Sequence, residues 1–376
     1  MVIDLLLGHL QEGGVSHILN TNAMPLNLGV DAWNLTGDRR GIGRYVREIV
    51  RRWASLRPDA VRLTLLVPER AAWFARRRYL RELDGADIPI RHRGAARTLD
   101  AVWYPWNGMS WVAGVTSVAT LHDASLFAIP PKDERVAEKE QRPLRVAAAL
   151  ARWIITDSQF SKTELLRFLP LDPSRIAVIP LGVKDVFTRP AQPVAREPSR
   201  PYVLFVGEPE ARKGLSTLLE AMTLLPEPMR NGTDLVIAGA SGQYQMPQMP
   251  DTIRARSVGW VEDETLAGLY ASAAAFVYPS EYEGFGLPMV EAMACGAPVI
   301  AADAPGSREA GGDAAQYVQA AAPQELASAI KEVLADPIRA NHLRERGLAR
   351  VKELTWEQTA RLTLEVIERA KEEEAQ

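Results

Sequence analysis

Residues 278–302 have the residue types and the spacing of an anion-binding site. An apolar run opens the stretch, Gly284 and Gly286 allow the backbone to turn tightly, and Pro288 suits the first position of a helix. We expect that helix to stop at Gly296. The first N–H groups of a helix have no partner inside it, and with the helix dipole they favour a negatively charged ligand. The segment therefore predicts a phosphate site at a helix N-terminus.

Two glutamates flank this predicted site, Glu283 in the loop and Glu291 on the helix. A carboxylate repels a phosphate, so we expect both side chains to accept hydrogen bonds from sugar hydroxyls beside it. A capped surface helix with two incidental glutamates is the alternative.

A second stretch carries two adjacent cations. An apolar strand leads into a turn with Gly207, and Arg212 and Lys213 follow just ahead of a helix. Cations at a helix start oppose the dipole, which favours a ligand partner over a structural role. Together they could neutralise a pyrophosphate and hold it as it leaves. A surface Arg-Lys pair is the alternative.

In the N-terminal half, Gly41 and Gly43 stand between a predicted strand and a predicted helix. A dinucleotide-binding fingerprint needs a third glycine where Val46 stands, so that function is weakly indicated. The glycines predict a loop that lets a phosphate or a sugar approach the backbone. An ordinary tight turn is the alternative.

His122 ends an apolar strand. A histidine there could donate a hydrogen bond to a sugar hydroxyl or buffer proton movement near neutral pH. A histidine that only serves structural hydrogen bonds is the alternative.

The elements that must position these residues follow from an alternation of short apolar runs and longer amphipathic ones, which is typical of parallel sheets wrapped by helices. The proline-rich residues 182–200 predict a linker between two such units. We expect helices at 45–56 and 356–371, the latter capped by Thr355. The predicted strands are 26–30, 61–67, 101–104, 117–121, 153–156, 176–179, 202–206, 235–238, 257–258, 275–278 and 298–302.

Composition narrows the class of protein. With 376 residues, 47% hydrophobic and 24% charged, the chain fits two globular domains and not a disordered or membrane-spanning protein. The opening residues lack the features of a signal peptide, and Cys295 is the single cysteine, so we expect a cytoplasmic protein without disulfides or a structural zinc site.

Charge is distributed unevenly along the chain. Residues 1–181 carry 25 Lys and Arg against 19 Asp and Glu, and the remainder carries 19 against 28. The basic half, including Arg76, Arg77 and Arg78, could contact anionic headgroups at the inner face of a membrane, with a solvated helix face as the alternative. No basic-aromatic module accompanies the charge, so we expect no nucleic-acid partner.

The segment EGFGLPMVEAMACGAPV, with its paired glutamates, resembles the signature of glycosyltransferase family 4, whose members are retaining enzymes of the GT-B architecture. The RKG, GIGRY and HD motifs are also similar to family motifs, GIGRY to those of a branch rich in mannosyltransferases. The resemblance implies an α/β fold of two doubly wound Rossmann-like domains that face each other across a cleft. It makes 24–181 the acceptor-side domain, 201–355 the donor-binding domain and 356–376 a final helix that packs back toward the first. Residues 1–23 remain an N-terminal extension of unknown role.

The resemblance also implies a role for individual residues. His122 and Glu283 would contact the donor sugar, and Glu291 would contact the ribose. Arg212 and Lys213 would bind the diphosphate, and with His122 and Glu283 they form the predicted catalytic set. The backbone at Gly284, Phe285, Gly286 and Leu287 would hold phosphate and sugar. Trp260 and Val261 would meet the nucleobase, with Asp263 capping the next helix. The predicted donor site also includes Gly41, Gly43 and Gly207.

The reaction that the resemblance implies is transfer of a hexose from a nucleotide-diphosphate sugar to a hydroxyl of a glycan or lipid-linked acceptor, with retention. GDP-mannose is the favoured donor, and UDP sugars remain open. No D-x-D triplet occurs, so we expect neither a metal nor another cofactor. A GT-B epimerase or phosphorylase and a non-catalytic sugar-nucleotide-binding protein are the alternatives.

Overall fold

The computed structural model describes residues 25–38, 41–56, 60–69, 79, 81–83, 85–189, 200–240, 242 and 244–375. The predicted extension 1–23, the arginines at 76–78 and the proline-rich part of the linker, 190–199, lie outside these residues.

The first half of the chain forms a seven-stranded parallel sheet in the order β3-β2-β1-β4-β5-β6-β7. Its strands are β1 (Leu26–Asp31), β2 (Val61–Val67), β3 (Ile90–His92), β4 (Ala101–Tyr104), β5 (Thr116–Thr120), β6 (Trp153–Thr156) and β7 (Ile176–Val178). The α-helices with described bounds in this half are α1 (Gly41–Leu56), α2 (Ser125–Ala128), α3 (Glu134–Leu150) and α4 (Gln159–Phe168).

After a short helix α5 (Asp185–Thr188), the second half forms a six-stranded parallel sheet in the order β10-β9-β8-β11-β12-β13. Its strands are β8 (Tyr202–Val206), β9 (Asp234–Ala238), β10 (Arg254–Gly259), β11 (Ala275–Tyr278), β12 (Val299–Ala302) and β13 (Gln316–Val318). Its helices are α6 (Leu215–Thr223), α7 (Glu227–Gly232), α8 (Asp263–Ser272), α9 (Leu287–Ala294), α10 (Pro305–Gly311), α11 (Pro323–Ala335) and α12 (Pro337–Arg350), and α13 (Trp356–Ala375) follows.

These two sheets confirm the predicted α/β class and the two doubly wound units. Strands β4, β5, β6, β8, β11 and β12 are buried along their whole length because helices cover both faces. For this reason all of them except β5, which carries two threonines and a serine, are largely apolar in sequence. Two short strands at sheet edges, β3 and β13, were not predicted, because three-residue edge strands leave little apolar signal.

Two local predictions are wrong. Helix α1 begins at Gly41, so Gly41 and Gly43 lie in its first turn and not in a preceding loop. A Cβ on Gly43 would stand 1.9 Å from the Asp38 carbonyl oxygen, so this glycine is required by close backbone packing. Asp263 is the first residue of α8 and not its cap, since Glu262 holds the cap position.

The chain crosses between the halves twice, and the two crossings are side by side. The Val183 N–H donates to the Leu354 carbonyl at 3.0 Å, and Phe187 of α5 is fully buried, which the proline-rich sequence did not indicate. Helix α13, which starts with the Gln358 N–H donating to the Thr355 hydroxyl at 3.3 Å, then packs on α1 and the first sheet. The last helix thus belongs physically to the first half of the molecule.

Candidate active site

A cleft of about 1020 Å³ separates the two halves at the carboxyl ends of their strands. In each sheet the strand order reverses once, between β1 and β4 and between β8 and β11. Ligands of doubly wound sheets bind outside the carboxyl ends at such reversals. The cleft is lined from the first half by Gly41, Arg44, Asn107 and His122, among others, and from the second by Gly207, Arg212, Lys213, Trp260, Val261, Glu283, Gly284, Phe285, Gly286, Leu287 and Glu291. The structure thus brings every residue of the predicted site except Gly43 to one cavity.

The predicted anion site has the expected backbone. Gly286 occupies the N-cap of α9 at φ +100°, a conformation that residues with a Cβ rarely adopt, and no side chain caps this helix start. Pro288 lies in the first turn, and Gly296 at φ +74° follows the last turn. Pro288 has no N–H and the Met289 N–H donates to the Gly286 carbonyl at 3.0 Å. The Leu287 N–H, together with the helix dipole, is what the helix start offers to an anion in the cleft.

Gly284 brings the two halves into contact. A Cβ at this position would stand 2.5 Å from the His122 carbonyl oxygen, so only glycine permits the approach. The Gly284 carbonyl accepts hydrogen bonds from the hydroxyls of Ser158 and Ser161 at the start of α4. The loop before α9 is thereby fixed against the first half.

Glu283 lies beside both predicted cations. The Lys213 ammonium is 2.5 Å from Glu283 Oε1, and the Arg212 guanidinium is 3.4 Å from Oε2. Arg212 also donates to Glu210 at 2.8 Å and to the Tyr282 carbonyl at 2.9 Å. Arg212, Lys213 and the carboxylates therefore form one cluster at the N-terminus of α9. The sequence had predicted that Glu283 would contact only a sugar.

Burial would raise the pKa of Glu283, but the charges of Lys213 and Arg212 and the hydrogen bonds from Lys213 and Ser280 hold it below its usual value. The carboxylate is 7% exposed and ionised near neutral pH. An ionised Glu283 fixes the two cations in place and keeps acceptor capacity for a sugar hydroxyl.

Glu291 is also paired. Arg44, from α1 in the first half, bonds to Glu291 Oε1 across the cleft and to Asp263 Oδ1 at 2.5 Å. Lys184 contacts Asp263 Oδ2 at 2.9 Å. Sequence analysis missed Arg44 as a site residue, although it stands within the GIGRY motif directly after the glycines. Asp263, predicted as a helix cap, is the carboxylate that joins Arg44 to Lys184.

His122 is 8% exposed, and both ring nitrogens face acceptors. Nδ1 is 2.7 Å from Asp157 Oδ2, and Nε2 is 3.1 Å from the Pro105 carbonyl. Burial lowers the pKa of His122, but the charge of Asp157 and the hydrogen bonds to both acceptors outweigh it, so the pKa is raised. In this structure the ring therefore bonds to protein groups on both sides, and Asp157 is a second site residue that sequence analysis missed.

At the opposite wall, Trp260 is 40% exposed and lies with Val261 at the end of β10, where a planar ligand could rest. Gly207, at φ +152°, closes β8 at the floor of the cleft. Within the described part of the chain, no three His, Cys, Asp or Glu side chains come together as metal ligands would. Nor does any helix of that part have the length and apolar character needed to cross a bilayer.

Comparison with known proteins finds family models and relatives that match this chain. A family model described as Glycosyltransferase Family 4 matches residues 39–186, and one described as Glycosyl transferases group 1 matches residues 188–350. O-antigen chain mannosyltransferase B of Escherichia coli is 34% identical over 265 residues, 66% of this chain and 69% of that protein. D-inositol 3-phosphate glycosyltransferase of Segniliparus rotundus is 31% identical over 267 residues, 66% of this chain and 59% of that protein.

The fold has solved counterparts. Anabaena HepE, determined in complex with UDP-glucose, superposes with a TM-score of 0.71 at 17% identity, over 91% of this chain and 99% of that one. This likeness confirms the GT-B architecture. The two family matches, the level of identity to curated glycosyltransferases and the cleft between two doubly wound sheets lead to one conclusion: the chain belongs to glycosyltransferase family 4.

Proposed function

We propose that the protein is a retaining, metal-independent hexosyltransferase that moves mannose from GDP-mannose to a hydroxyl of a glycan or a lipid-linked acceptor. The proposal depends on one observation: Arg212, Lys213 and Glu283 form a cluster at the N-terminus of α9, in the cleft between the sheets. Mannose is favoured because an Escherichia coli relative is an O-antigen chain mannosyltransferase. HepE, crystallised with UDP-glucose, keeps UDP sugars as the alternative donors.

The cluster suits departure of a nucleoside diphosphate. As the bond between the anomeric carbon and the diphosphate breaks, its electron pair stays on the phosphate oxygen, and negative charge grows there. The Arg212 and Lys213 side chains and the Leu287 N–H at the start of α9 would stabilise that charge without a metal ion. The oxygen of the acceptor hydroxyl bonds to the anomeric carbon on the same face, and its proton passes to the oxygen of the departing diphosphate.

Glu283 would then have two tasks. It holds the cations at the diphosphate position, and its carboxylate oxygens can accept a hydrogen bond from a hydroxyl of the transferred sugar. His122, whose ring is held by Asp157 and the Pro105 carbonyl, would lie at the other wall of the cleft beside the transferred sugar.

The first experiment is a transfer assay with GDP-mannose, UDP-glucose, UDP-N-acetylglucosamine and dTDP-glucose, with and without EDTA. We expect transfer from GDP-mannose, unchanged by EDTA, and thermal stabilisation by the same nucleotide sugar. Sugar conversion without an acceptor would favour an epimerase, and a requirement for inorganic phosphate would favour a phosphorylase.

The second experiment removes one cation. Lys213→Ala should lower kcat/KM at least 100-fold, because a charge that acts on the leaving group is lost. Arg339→Ala, which breaks an exposed pair with Glu332 on the outer surface of the same half, is the matched control and should leave the rate within twofold. A loss below threefold for Lys213→Ala would rule out its assigned role.

A further inference from the structure

Two tryptophans lie at the ligand-binding edge of the first sheet and have no role in the proposed donor site. Trp33 follows the carboxyl end of β1, and Trp106 follows the carboxyl end of the adjacent β4. His122 follows β5, the next strand in the sheet. The two indole rings are 6.2 Å apart in an edge-to-face arrangement, and Trp33 is 45% exposed. An exposed indole that packs on a second indole beside a ligand cleft is a candidate binding surface for a ring-shaped ligand.

One buried residue, Asp31, bonds to the Trp106 indole and to the Trp33 backbone. Asp31, which is 1% exposed, accepts a hydrogen bond from Trp106 Nε1 at its carbonyl oxygen, over 2.5 Å. Its carboxylate accepts hydrogen bonds from the Trp33 backbone N–H and from Arg93 at 3.2 Å. The Arg93 guanidinium in turn stacks on Trp111 at 5.1 Å. The Trp106 indole and the Trp33 backbone are therefore held in place, which lowers the entropy cost of binding a ligand there.

The pair is directly connected to the cleft. Asn107 adopts φ +56°, which is uncommon for a residue other than glycine, and its side-chain oxygen accepts the His122 N–H at 2.9 Å. Asn107 also lines the cleft. A Cβ on the following Gly108 would meet the Pro143 backbone at 2.5 Å, so the backbone of α3 packs closely against this turn. One peptide bond thus separates Trp106 from a residue that contacts the predicted catalytic histidine.

We propose that Trp33 and Trp106 form the binding site for the pyranose ring at the accepting end of the glycan. An indole face covers the apolar C–H face of a pyranose and leaves its hydroxyls to polar neighbours and water. The charges at this position, Asp31 and Arg93, are paired with each other, which suits a neutral sugar better than a phosphate. The inference rests on the proposed function, since it places the acceptor beside the donor cleft.

The test measures acceptor binding apart from donor binding. The probe is α-linked mannobiose. Tryptophan fluorescence measures its binding, and initial transfer rates measure its use as an acceptor. Trp33→Ala should raise both the Kd and the KM for mannobiose about tenfold, equivalent to about 1.4 kcal/mol. Its donor KM and its slow donor hydrolysis without acceptor should stay within twofold. Trp33→Phe should recover most of the affinity, because an aromatic face is restored.

The controls separate the two proposals. Ile338→Ala, which removes a still more exposed apolar side chain from α12, should change nothing. An unchanged mannobiose Kd in Trp33→Ala, or no saturable mannobiose binding by the unaltered protein, would overturn this inference while leaving donor transfer intact. Loss of binding to phosphatidylglycerol vesicles in Trp33→Ala, with an unchanged mannobiose KM, would assign the pair to a membrane surface instead. Failure of the unaltered protein to bind any nucleotide sugar would overturn the proposed function itself.

Discussion

At the scale of single residues, both predicted site glutamates, Glu283 and Glu291, take part in ion pairs. Glu283 pairs with Lys213 and Arg212, and Glu291 pairs with Arg44. Burial makes this necessary, because an ionised carboxylate that is less than a tenth exposed is costly without a partner. Donor recognition must therefore act on groups that the protein has already oriented.

Arg44 provides a sharp test of that idea. Arg44 contacts Oε1 of Glu291, and we expect Oε2 to accept a ribose hydroxyl. Arg44→Ala should weaken binding of GDP about tenfold, because Glu291 loses the charge that orients it. The loss should be less than threefold for 2′,3′-dideoxy-GDP, which lacks those hydroxyls. Isothermal titration calorimetry measures both affinities.

A matched control is Arg51→Ala, on the same helix but outside the cleft, where it pairs with Glu48 at 3.4 Å. It should affect both nucleotides equally and weakly. Equal losses for the two nucleotides in Arg44→Ala would show that Arg44 does not act through the ribose.

The pair of His122 and Asp157 makes a prediction about pH. The pKa of His122 is raised above 6.5, so the contribution of its charge to stability is complete below about pH 6.5 and is lost as pH rises through the folded-state pKa. Asp157→Asn removes the charge of Asp157, so burial should dominate and lower the His122 pKa. NMR titration of the imidazole signals checks this, with the exposed Asp172→Asn as control. An unchanged midpoint in Asp157→Asn would contradict it.

At the scale of elements, α9 is set by glycines at its two ends. The helix has eight residues, seven of them buried, between Gly286 at φ +100° and Gly296 at φ +74°. Its start faces the cleft and its end does not, since Gly296 is absent from the lining of the cavity. Both glycines adopt a positive φ, but only Gly286 lines the cleft.

Substituting each glycine separates fold from function. Gly286→Ala and Gly296→Ala should each lower the free energy of unfolding by about 1–2 kcal/mol, because a Cβ is strained at positive φ. Only Gly286→Ala should also weaken nucleotide binding, by about tenfold or more, since it displaces the Leu287 N–H at the helix start. Urea unfolding and nucleotide titration measure the two effects. Equal nucleotide affinity in both variants would argue against an anion at α9.

At the scale of the whole molecule, the two halves are connected by more than the chain. Glu309 of α10 accepts hydrogen bonds from the N–H groups of Gln159 and Phe160, at 2.6 and 3.0 Å, and so caps a helix of the other half. Helix α13 packs on the first sheet, and Trp53 Nε1 donates to the Ala360 carbonyl at 2.8 Å. The closure of the cleft and the packing of the last helix therefore depend on both halves.

Trp356, at the second crossing, tests this connection. It is fully buried, and its ring lies 6.1 Å from that of Tyr45, which in turn packs on His122 at 4.8 Å. Trp356→Ala should lower the free energy of unfolding by about 3–5 kcal/mol, as expected for a large aromatic side chain removed from a core. Leu348→Ala, on the exposed side of α12, should cost less than about 0.5 kcal/mol. A small loss in Trp356→Ala, measured by urea unfolding, would mean that the crossing is not a stability element.

The sequence by itself determined the elements and the anion loop. Buried parallel strands such as β8 and β11 are continuous apolar runs, and the glycines and proline around α9 have conformational effects that act within a few residues. Local signals of this kind need no knowledge of distant parts of the chain. The order of elements along the chain, for the same reason, indicated the two-unit architecture.

Only the tertiary structure decided which charges meet. Lys213 and Glu283 are 70 residues apart in sequence, and Arg44 and Glu291 are 247 apart. No spacing rule connects such positions, because their proximity arises from the closing of two sheets on one cleft. For the same reason, residues predicted as separate ligand groups form ion pairs in the folded protein, and Arg44, Asp157 and the indoles of Trp33 and Trp106 became candidates only once the fold placed them at its edge.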